Sequence, residues 1–195
     1  MNTATIKLGV AGTHSTGKST FLEGLEKALT PLGLRVTTVK SLATAARDAG
    51  FPILQEQTFE TALWIMSEGI RLETEASLSS DVVLVDRAIF DAIGYLKAAL
   101  AISNREFDTT RLEMLEDIAN SYARDYDFLV LTELDKTIPL GDRRDPNVNF
   151  RILAGEKILD FAEANKLNYM LMTYHNRQSV THEAIEFVRN KLNIA

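Results

Sequence analysis

The chain contains no cysteine, which excludes disulfide bonds and thiol chemistry. Among its three histidines, His175 and His182 show no metal-ligand spacing, so we do not expect a zinc site. No apolar run approaches the roughly 18 residues that a membrane span needs, and the N-terminal residues lack the pattern of a secretory signal. These absences predict a cytoplasmic protein without a membrane partner.

The chain also lacks an excess of basic residues. Its formal net charge is −6, which argues against a general nucleic-acid binder. A length of 195 residues and a hydrophobic content of 46% suit one globular domain whose core needs no covalent support. Because no repeat or domain-length linker interrupts the chain, we predict a single domain over residues 1–195.

Short apolar runs alternate with helical patterns along the whole chain. The predicted strands are TIKLGVAG, LRVTTVK, DVVLVDR, DFLVLT and NYMLMT. The main predicted helices are 18–29, 56–79, 89–102, 109–124, 150–165 and 179–191, and Asp108 is the expected N-cap of the helix 109–124. This alternation predicts an α/β fold, with a parallel sheet wound by right-handed crossovers.

The most specific motif is GTHSTGKST, which matches the phosphate-binding pattern G-x-x-x-x-G-K-[ST] between a predicted strand and a predicted helix. Glycines let the backbone wrap around phosphate, and the helix N-terminus adds positive potential. We expect Lys18 to reach the β- and γ-phosphates of ATP, and Ser19 to bind Mg²⁺. His14 is expected at the surface, with contact to a second substrate as the alternative. The predicted nucleotide-binding residues are Gly12, Thr13, His14, Ser15, Thr16, Gly17, Lys18, Ser19 and Thr20.

The third predicted strand ends in Asp86, followed by Arg87. Ligands of parallel sheets bind at the carboxyl ends of the strands, so Asp86 should face the phosphate loop and support Mg²⁺. Motor-type and AAA-type ATPases usually carry a glutamate after this aspartate to orient water. A cation at Arg87 instead suits stabilisation of a transferred phosphoryl group, which favours transfer over hydrolysis.

The phosphate loop, DRAIFDAIGYL and GDRRDPNVNFR together resemble the small-molecule kinase branch of phosphate-loop proteins. The nearest resemblance is to the family that includes the nicotinamide riboside kinase domain of the bacterial NAD regulator. It covers roughly residues 6–151 and implies a three-layer sandwich with a five-stranded parallel sheet, a lid, Mg²⁺ and ATP. It also implies that Asp86 and Arg87 form an Asp-Arg pair, and that Asp91 lies near the acceptor. A helix N-cap is the alternative for Asp91. The turn TYHNRQSV is where such kinases hold the nucleotide base through backbone groups.

The longest irregular segment, at about residues 133–150, is the predicted lid. The resemblance selects Arg144 and Arg151, whose guanidinium groups would neutralise charge that develops during transfer. The alternative is a solvated loop in which Asp142 and Asp145 pair with neighbouring arginines.

The long helix carries a polar face around the only tryptophan. Trp64, Glu68 and Arg71 share that face and would suit a nucleoside or another small ring. The alternative is that Trp64 packs under a neighbouring loop. One departure from the family concerns a general base: the position near Thr44, where an acid is often found, has none, and Asp48 is the closest carboxylate.

We therefore expect an ATP- and Mg²⁺-dependent phosphotransferase for a small acceptor, a nucleoside or nucleotide. Its catalytic residues would be Lys18, Asp86, Arg87, Arg144 and Arg151, with Ser19 and Asp86 at the metal. One alternative is a nucleotide-binding regulatory ATPase or switch without an acceptor. A polynucleotide 5′-kinase is disfavoured by the acidic charge balance.

Overall fold

The computed structural model describes residues 5–134 and 147–194. The strands are β1 Ile6–Ala11, β2 Val36–Val39, β3 Val82–Asp86, β4 Phe128–Thr132 and β5 Met170–Met172. The helices are α1 Lys18–Leu29, α2 Ala43–Asp48, α3 Phe59–Ser77, α4 Asp91–Ser103, α5 Thr109–Ala123, α6 Val148–Ala164 and α7 Arg177–Leu192. Two short 3₁₀ turns lie at Thr30–Leu32 and Leu54–Glu56. The predicted α/β fold is confirmed.

All strand pairs in the five-stranded sheet are parallel, in the order β2-β3-β1-β4-β5. The carboxyl ends of all five strands therefore lie at one edge. β1 occupies the middle, between β3 and β4, and the phosphate loop leaves its carboxyl end. This is the edge at which parallel sheets bind ligands, so the topology brings the loop and the end of β3 together.

Helices cover both faces of the sheet because alternate side chains of each strand point to opposite faces. On one face, β1 and β3 pack against α1 and α7; the fully or nearly fully buried side chains there include Leu8, Val10, Leu22, Leu25, Leu84, Val180, Ala184 and Val188. On the other face, β3 and β4 pack against α3, α4, α5 and α6, around Phe90, Ile93, Leu96, Leu115, Phe150 and Ile158. The result is a three-layer sandwich with the site at one sheet edge.

Most predicted helices match the observed ones within a few residues. α1 has the predicted bounds, and Asp108 caps α5 as expected, accepting hydrogen bonds from two backbone N–H groups. α3 begins at Phe59, three residues later than predicted, because Thr58 is its N-cap. The Thr58 hydroxyl accepts a hydrogen bond from the Thr61 N–H. α6 begins at Val148, so the end of the predicted lid is helical. None of the described helices combines the length and apolarity needed to cross a bilayer.

The closest helix packing on the second face joins α4 to α6 through Gly94. A Cβ built on Gly94 would clash with Ile158, whose backbone N would lie only 3.0 Å away. The backbone of α6 cannot retreat cheaply, because Phe150, Ala154 and Ile158 are buried under α4 and the sheet. Gly94 therefore sets the distance between the helix that follows β3 and the helix that carries Arg151.

We predict that Gly94→Ala lowers the free energy of unfolding by about 1–3 kcal/mol, because overpacking outweighs the gain in helix propensity. The matched change Gly24→Ala in α1 meets no atom within 4 Å, and it should be neutral or stabilising by up to about 1 kcal/mol. Urea denaturation of both variants measures the difference. Equal stability of the two variants would contradict the packing argument.

Candidate active site

The phosphate loop follows β1 in a conformation that depends on its two glycines. Gly12 has φ 133° and Gly17 has φ 86°, values that side chains rarely allow. A Cβ on Gly12 would also clash with the hydroxyl of Thr132 at the end of β4. The Thr16 hydroxyl donates to the Thr13 carbonyl and lies 2.6 Å from the Thr132 hydroxyl, which ties the loop to β4.

Lys18 is buried inside this loop, with an exposed fraction of 5%. Its ammonium group donates to the carbonyl of Gly12 at 2.8 Å and to the carbonyl of Thr13. The Thr16 hydroxyl is a third contact, at 3.3 Å. The lysine therefore lies at the N-terminus of α1, where the helix dipole and the backbone N–H groups also favour an anion.

The other loop residues occupy both sides of the turn. The side-chain oxygen of Thr13 is buried without a hydrogen-bond partner, so it has a donor to offer to a ligand oxygen. Ser15 adopts a positive φ of 59°, and Ser19 and Thr20 are exposed at the start of α1. The structure thus places the predicted nucleotide-binding residues around one turn.

Ser19 and Asp86 meet across the crevice as their predicted metal role requires. The Ser19 hydroxyl donates to Asp86 Oδ2 over 2.9 Å. One hydroxyl and one carboxylate fit Mg²⁺, which keeps most of its ligands as waters and phosphate oxygens. No group of three or more histidine, aspartate or glutamate side chains forms a metal cage within residues 5–134 and 147–194.

Arg87 and Asp91 join the phosphate loop to α4. Asp91 Oδ1 accepts from the Gly12 N–H at 3.0 Å, and Asp91 Oδ2 accepts from Arg87 Nη1 at 3.2 Å. The same Arg87 nitrogen donates to the Gly12 carbonyl at 3.3 Å. Asp91 is the first residue of α4, and the N-cap is Phe90, whose side chain cannot cap. The alternative of Asp91 as an N-cap is therefore wrong.

Burial dominates the electrostatics of this pair. It raises the pKa of the Asp91 carboxyl to about 6, while Arg87 and Lys18 oppose the shift. For Arg87, burial lowers the pKa, but Tyr95 and the nearby carboxylates more than offset it and leave the pKa above its usual value. Arg87 also has a positive φ of 84°, an uncommon conformation for a large side chain and one that directs its guanidinium back to Gly12.

His14 was expected at the surface, and that expectation is wrong. Its exposed fraction is 3%, and its Nδ1 lies 3.2 Å from the hydroxyl of Tyr95 on α4. Its carbonyl accepts from Arg151 Nη2 at 3.3 Å. The packing of α4 and α6 against the loop encloses the ring, which the local sequence could not reveal.

Arg151 lies on α6 and not on an irregular cover. Its exposed fraction is 4%, and its Nε has no hydrogen-bond partner. Arg151 approaches the phosphate loop from the second face of the sheet, so its assignment to the lid is corrected. Arg144, with most of the predicted lid, lies outside the described residues. A direct role of either arginine in catalysis stays a prediction.

A cavity of about 130 Å³ opens beside the loop, between the carboxyl ends of β2 and β3 and helices α2, α3 and α4. His14, Asp86, Arg87, Asp91 and Tyr95 line the side next to the loop. The remaining wall is mostly apolar and includes Val39, Leu42, Ile53, Leu54, Ile65, Met66, Val85, Ala88, Ile89 and Ala92. Such a mixture of apolar walls and a few polar groups is typical of a small-molecule site.

Glu73 is a buried carboxylate of the cavity wall that the sequence analysis missed. Its exposed fraction is 2%, and its Oε1 accepts from the Tyr126 hydroxyl at 3.1 Å. Burial raises the pKa of this carboxyl to about 7, although Lys7, 3.9 Å away, and Tyr126 act in the opposite direction. Glu73 lies seven residues after Met66, and this position on the apolar stripe of α3 was the available signal.

The predicted ring-binding face of α3 does not face the cavity. The Trp64 ring packs against Phe51, with 5.3 Å between ring centroids, which confirms the alternative that it packs under a neighbouring loop. Glu68 and Arg71 form an exposed ion pair. None of Trp64, Glu68 and Arg71 lines the cavity, because the apolar stripe and not the polar face turns toward the sheet edge. These three positions are corrected.

The position near Thr44 does line the cavity, as expected for a residue of the segment after β2. Asp48, the nearest carboxylate in sequence, is exposed, pairs with Arg47 at 3.0 Å and does not line the cavity. Among the described residues, the carboxylates in the cavity wall are Glu73, Asp86 and Asp91. The carboxylates in the described part of the cavity wall thus come from α3, β3 and α4, and none comes from α2.

A family model described as an AAA domain matches residues 7–179. The sequence analysis used the arginine after Asp86 to favour transfer over hydrolysis, and the family description does not test that chemistry. None of the curated proteins matches the chain significantly.

Solved structures share the fold. NadR protein in complex with NR has 13% identity and a TM-score of 0.68, over 100% of this chain and 53% of that one. Thymidylate kinase from Candida albicans has 16% identity and a TM-score of 0.64, over 98% and 94%. Deoxyadenosine kinase from M. mycoides has 16% identity and a TM-score of 0.59, over 96% and 99%. The chain spans about half the length of NadR, and these likenesses show the fold alone.

We predict that Glu73→Gln changes the pH dependence of stability. The pKa of Glu73 is about 7 in the folded state and about 4.3 in a free chain. At pH values between these two, Glu73 therefore takes up a proton when the chain folds. Its contribution to stability is complete below about pH 4 and is lost as the pH rises through about 7. The free energy of unfolding of the wild type, minus that of the variant, should fall between pH 5 and pH 8.

Urea denaturation at several pH values measures this difference. Glu75→Gln, on the exposed side of the same helix, controls for the loss of one carboxylate. A difference between wild type and Glu73→Gln that rises with pH would mean that Glu73 is buried as a charged partner of Lys7.

Proposed function

The chain belongs to the AAA domain family, and from this premise we propose that it transfers a phosphoryl group from ATP, with Mg²⁺, to a small nucleoside or nucleotide. The observation that carries the proposal is the continuity of two sites at one sheet edge. His14, from the phosphate loop, and Asp86, Arg87 and Asp91, which contact that loop or α1, also form the wall of the cavity. A donor in the loop and an acceptor in the cavity would therefore be adjacent.

The donor side consists of the loop amides and Lys18. In the structure the ammonium group is held by loop carbonyls, which are weaker partners than phosphate oxygens. Binding of the triphosphate would exchange these contacts for charge-assisted hydrogen bonds. The buried position of Lys18 strengthens that exchange, since water does not screen the site as it does an exposed lysine.

Ser19 and Asp86 would hold Mg²⁺ at the donor. When bound, the ion neutralises negative charge on the phosphates. Asp86 also lines the cavity, so it would act at the boundary between donor and acceptor. With a loose transition state, transfer would not require a general base.

Arg87 and Asp91 act together at the boundary between donor and acceptor. Both oxygens of Asp91 are already used, by the Gly12 N–H and by Arg87, so Asp91 is a positioning residue. Arg87 lines the cavity, and its Nη1 is shared between Asp91 and the Gly12 carbonyl. A cation in this place suits a transferred phosphoryl group and does not suit activation of water as a base.

Two observations support the chemical class of the acceptor: the lining of the cavity and the names of the structural neighbours. The apolar walls suit a ring, and the polar side next to the phosphate loop suits a hydroxyl or phosphate. The printed names of the structural neighbours include a thymidylate kinase and a deoxyadenosine kinase, and NadR was solved with NR. These names support a nucleoside or nucleotide acceptor.

One observation favours a second candidate. The matching family is described as an AAA domain, which is compatible with a nucleotide-binding switch or regulatory ATPase that has no acceptor. Such a protein would turn over ATP at a rate independent of small acceptors. The two candidates therefore differ in one measurable quantity, the acceptor dependence of ADP release.

We predict that ADP production with ATP and Mg²⁺ rises strongly with one member of a panel of nucleosides, nucleoside monophosphates and nicotinamide riboside. Lys18→Ala should lower the acceptor-dependent rate by about 10²–10³-fold, the usual effect of removing one group that stabilises developing charge. A coupled spectrophotometric assay measures this rate. ATP binding without any acceptor-dependent release would favour the switch.

We predict that Gly69→Leu raises the KM for that acceptor at least about tenfold, because the leucine would occupy the cavity. A Cβ at Gly69 meets only Leu42, at 3.8 Å, so the helix itself accommodates the change. The Kd for ATP should not change. Gly24→Leu, at a helix position with open space, is the control, and an unchanged KM in Gly69→Leu would place the acceptor elsewhere.

A further inference from the structure

The first residue of α7 is an arginine that lies against the phosphate loop. α1 and α7 pack side by side on one face of the sheet, so their N-termini meet at the same sheet edge. A Cβ built on Gly17 would lie 2.5 Å from Arg177 Nη2 and 3.0 Å from its Cζ. The guanidinium therefore occupies the space that the missing side chain of Gly17 leaves.

The turn before α7 fixes Arg177 in this place. Asn176 Oδ1 accepts from the Thr173 N–H at 2.7 Å, and Asn176 Nδ2 donates to the Leu171 carbonyl at 2.9 Å. The guanidinium also lies over the ring of Tyr174, with its Cζ 5.9 Å from the ring centroid. The arginine is thus held beside the loop by its backbone and by an aromatic neighbour, before any ligand binds.

Arg177 has no counter-charge in the described part of the chain. Its Nε is buried without a hydrogen-bond partner, and no carboxylate from residues 5–134 or 147–194 pairs with it. The other arginine of α7, Arg189, contacts Glu186 at 3.4 Å, and Arg87 across the site pairs with Asp91. A partly buried cation without an anion is costly, and an anionic ligand removes that cost.

We propose that Arg177 binds the phosphate groups of the donor nucleotide, as a second cation of the phosphate site beside Lys18. A planar guanidinium offers two parallel N–H donors to phosphate oxygens. The inference rests on the proposed function, since it requires that the loop binds a nucleoside polyphosphate. It also differs from the sequence interpretation, which assigned the segment after β5 to backbone contacts with the base.

The contact with Arg177 is a second structural requirement for glycine at position 17. Its φ of 86° already disfavours a side chain, and a side chain would also displace the guanidinium from the loop. The α1–α7 contact thus becomes part of the nucleotide site and is not only a core contact. Binding of the phosphates would link the N-termini of the two helices.

The test measures the Kd of ATP and of inorganic tripolyphosphate by isothermal titration calorimetry, for the wild type and for Arg177→Ala, Arg177→Lys, Arg189→Ala and Lys18→Ala. Arg177→Ala should weaken both ligands by about 10- to 100-fold, because the lost contacts are charge-assisted hydrogen bonds to phosphate. Arg177→Lys should retain part of the affinity. Arg189→Ala removes the same charge from the same helix and should change either Kd by less than about twofold.

The melting temperature of ligand-free Arg177→Ala should equal or exceed that of the wild type, whereas a purely structural arginine would lower it. Weaker ATP binding with unchanged tripolyphosphate binding would assign Arg177 to the base or ribose and overturn the inference. Wild-type affinity in Arg177→Ala, with affinity lost in Lys18→Ala, would overturn this inference alone. A wild type that binds no ATP would overturn the proposed function as well.

Discussion

The backbone of Gly12 is the junction on which the site depends. Its N–H donates to Asp91, and its carbonyl accepts from both Lys18 and Arg87. One residue therefore connects the phosphate loop, the cation at the start of α1 and the first turn of α4. Only glycine fits, because φ is 133° and because the Thr132 hydroxyl fills the space where a Cβ would lie. A shift of the Gly12 backbone would therefore change the contacts of Lys18 in the phosphate loop and those of Arg87 and Asp91 in the cavity wall.

The cations around Gly12 differ in their partners, and two of them donate to neutral carbonyl groups that an anion could replace. Lys18 and Arg151 donate to loop carbonyls, whereas Arg87 has a full carboxylate partner in Asp91. Carbonyl groups are modest partners for buried cations, so a phosphate can replace them at a gain. The carboxylate pair, in contrast, keeps Arg87 in position with or without a ligand. In the proposed reaction, this arrangement would preorganise the acceptor side, while the cations of the donor side would exchange carbonyl groups for phosphate.

Local patterns predicted most of the fold, and they failed where a helix has two plausible faces. α1 and the cap of α5 were predicted correctly because glycines, an aspartate and 3.6-residue periodicity define them within a few residues. On α3, the sequence leaves the polar face around Trp64 open as a binding wall or a packing face, and in the structure the stripe with Met66 and Glu73 lines the cavity. Periodicity identifies two faces of a helix but not which of them borders a cavity, since that depends on how the helix crosses the sheet.

The phosphate loop, the parallel α/β architecture and the contact of Ser19 with Asp86 follow from the sequence alone, because the carboxyl ends of parallel strands share an edge. The burial of His14, the buried acid at Glu73 and the contact of Arg177 with Gly17 depend instead on how the helices pack on the sheet. The residues in these contacts are far apart in the sequence. His14 and Tyr95 are separated by 81 positions, Glu73 and Tyr126 by 53, and Gly17 and Arg177 by 160. Helix packing creates such contacts, and no spacing within a single segment encodes them.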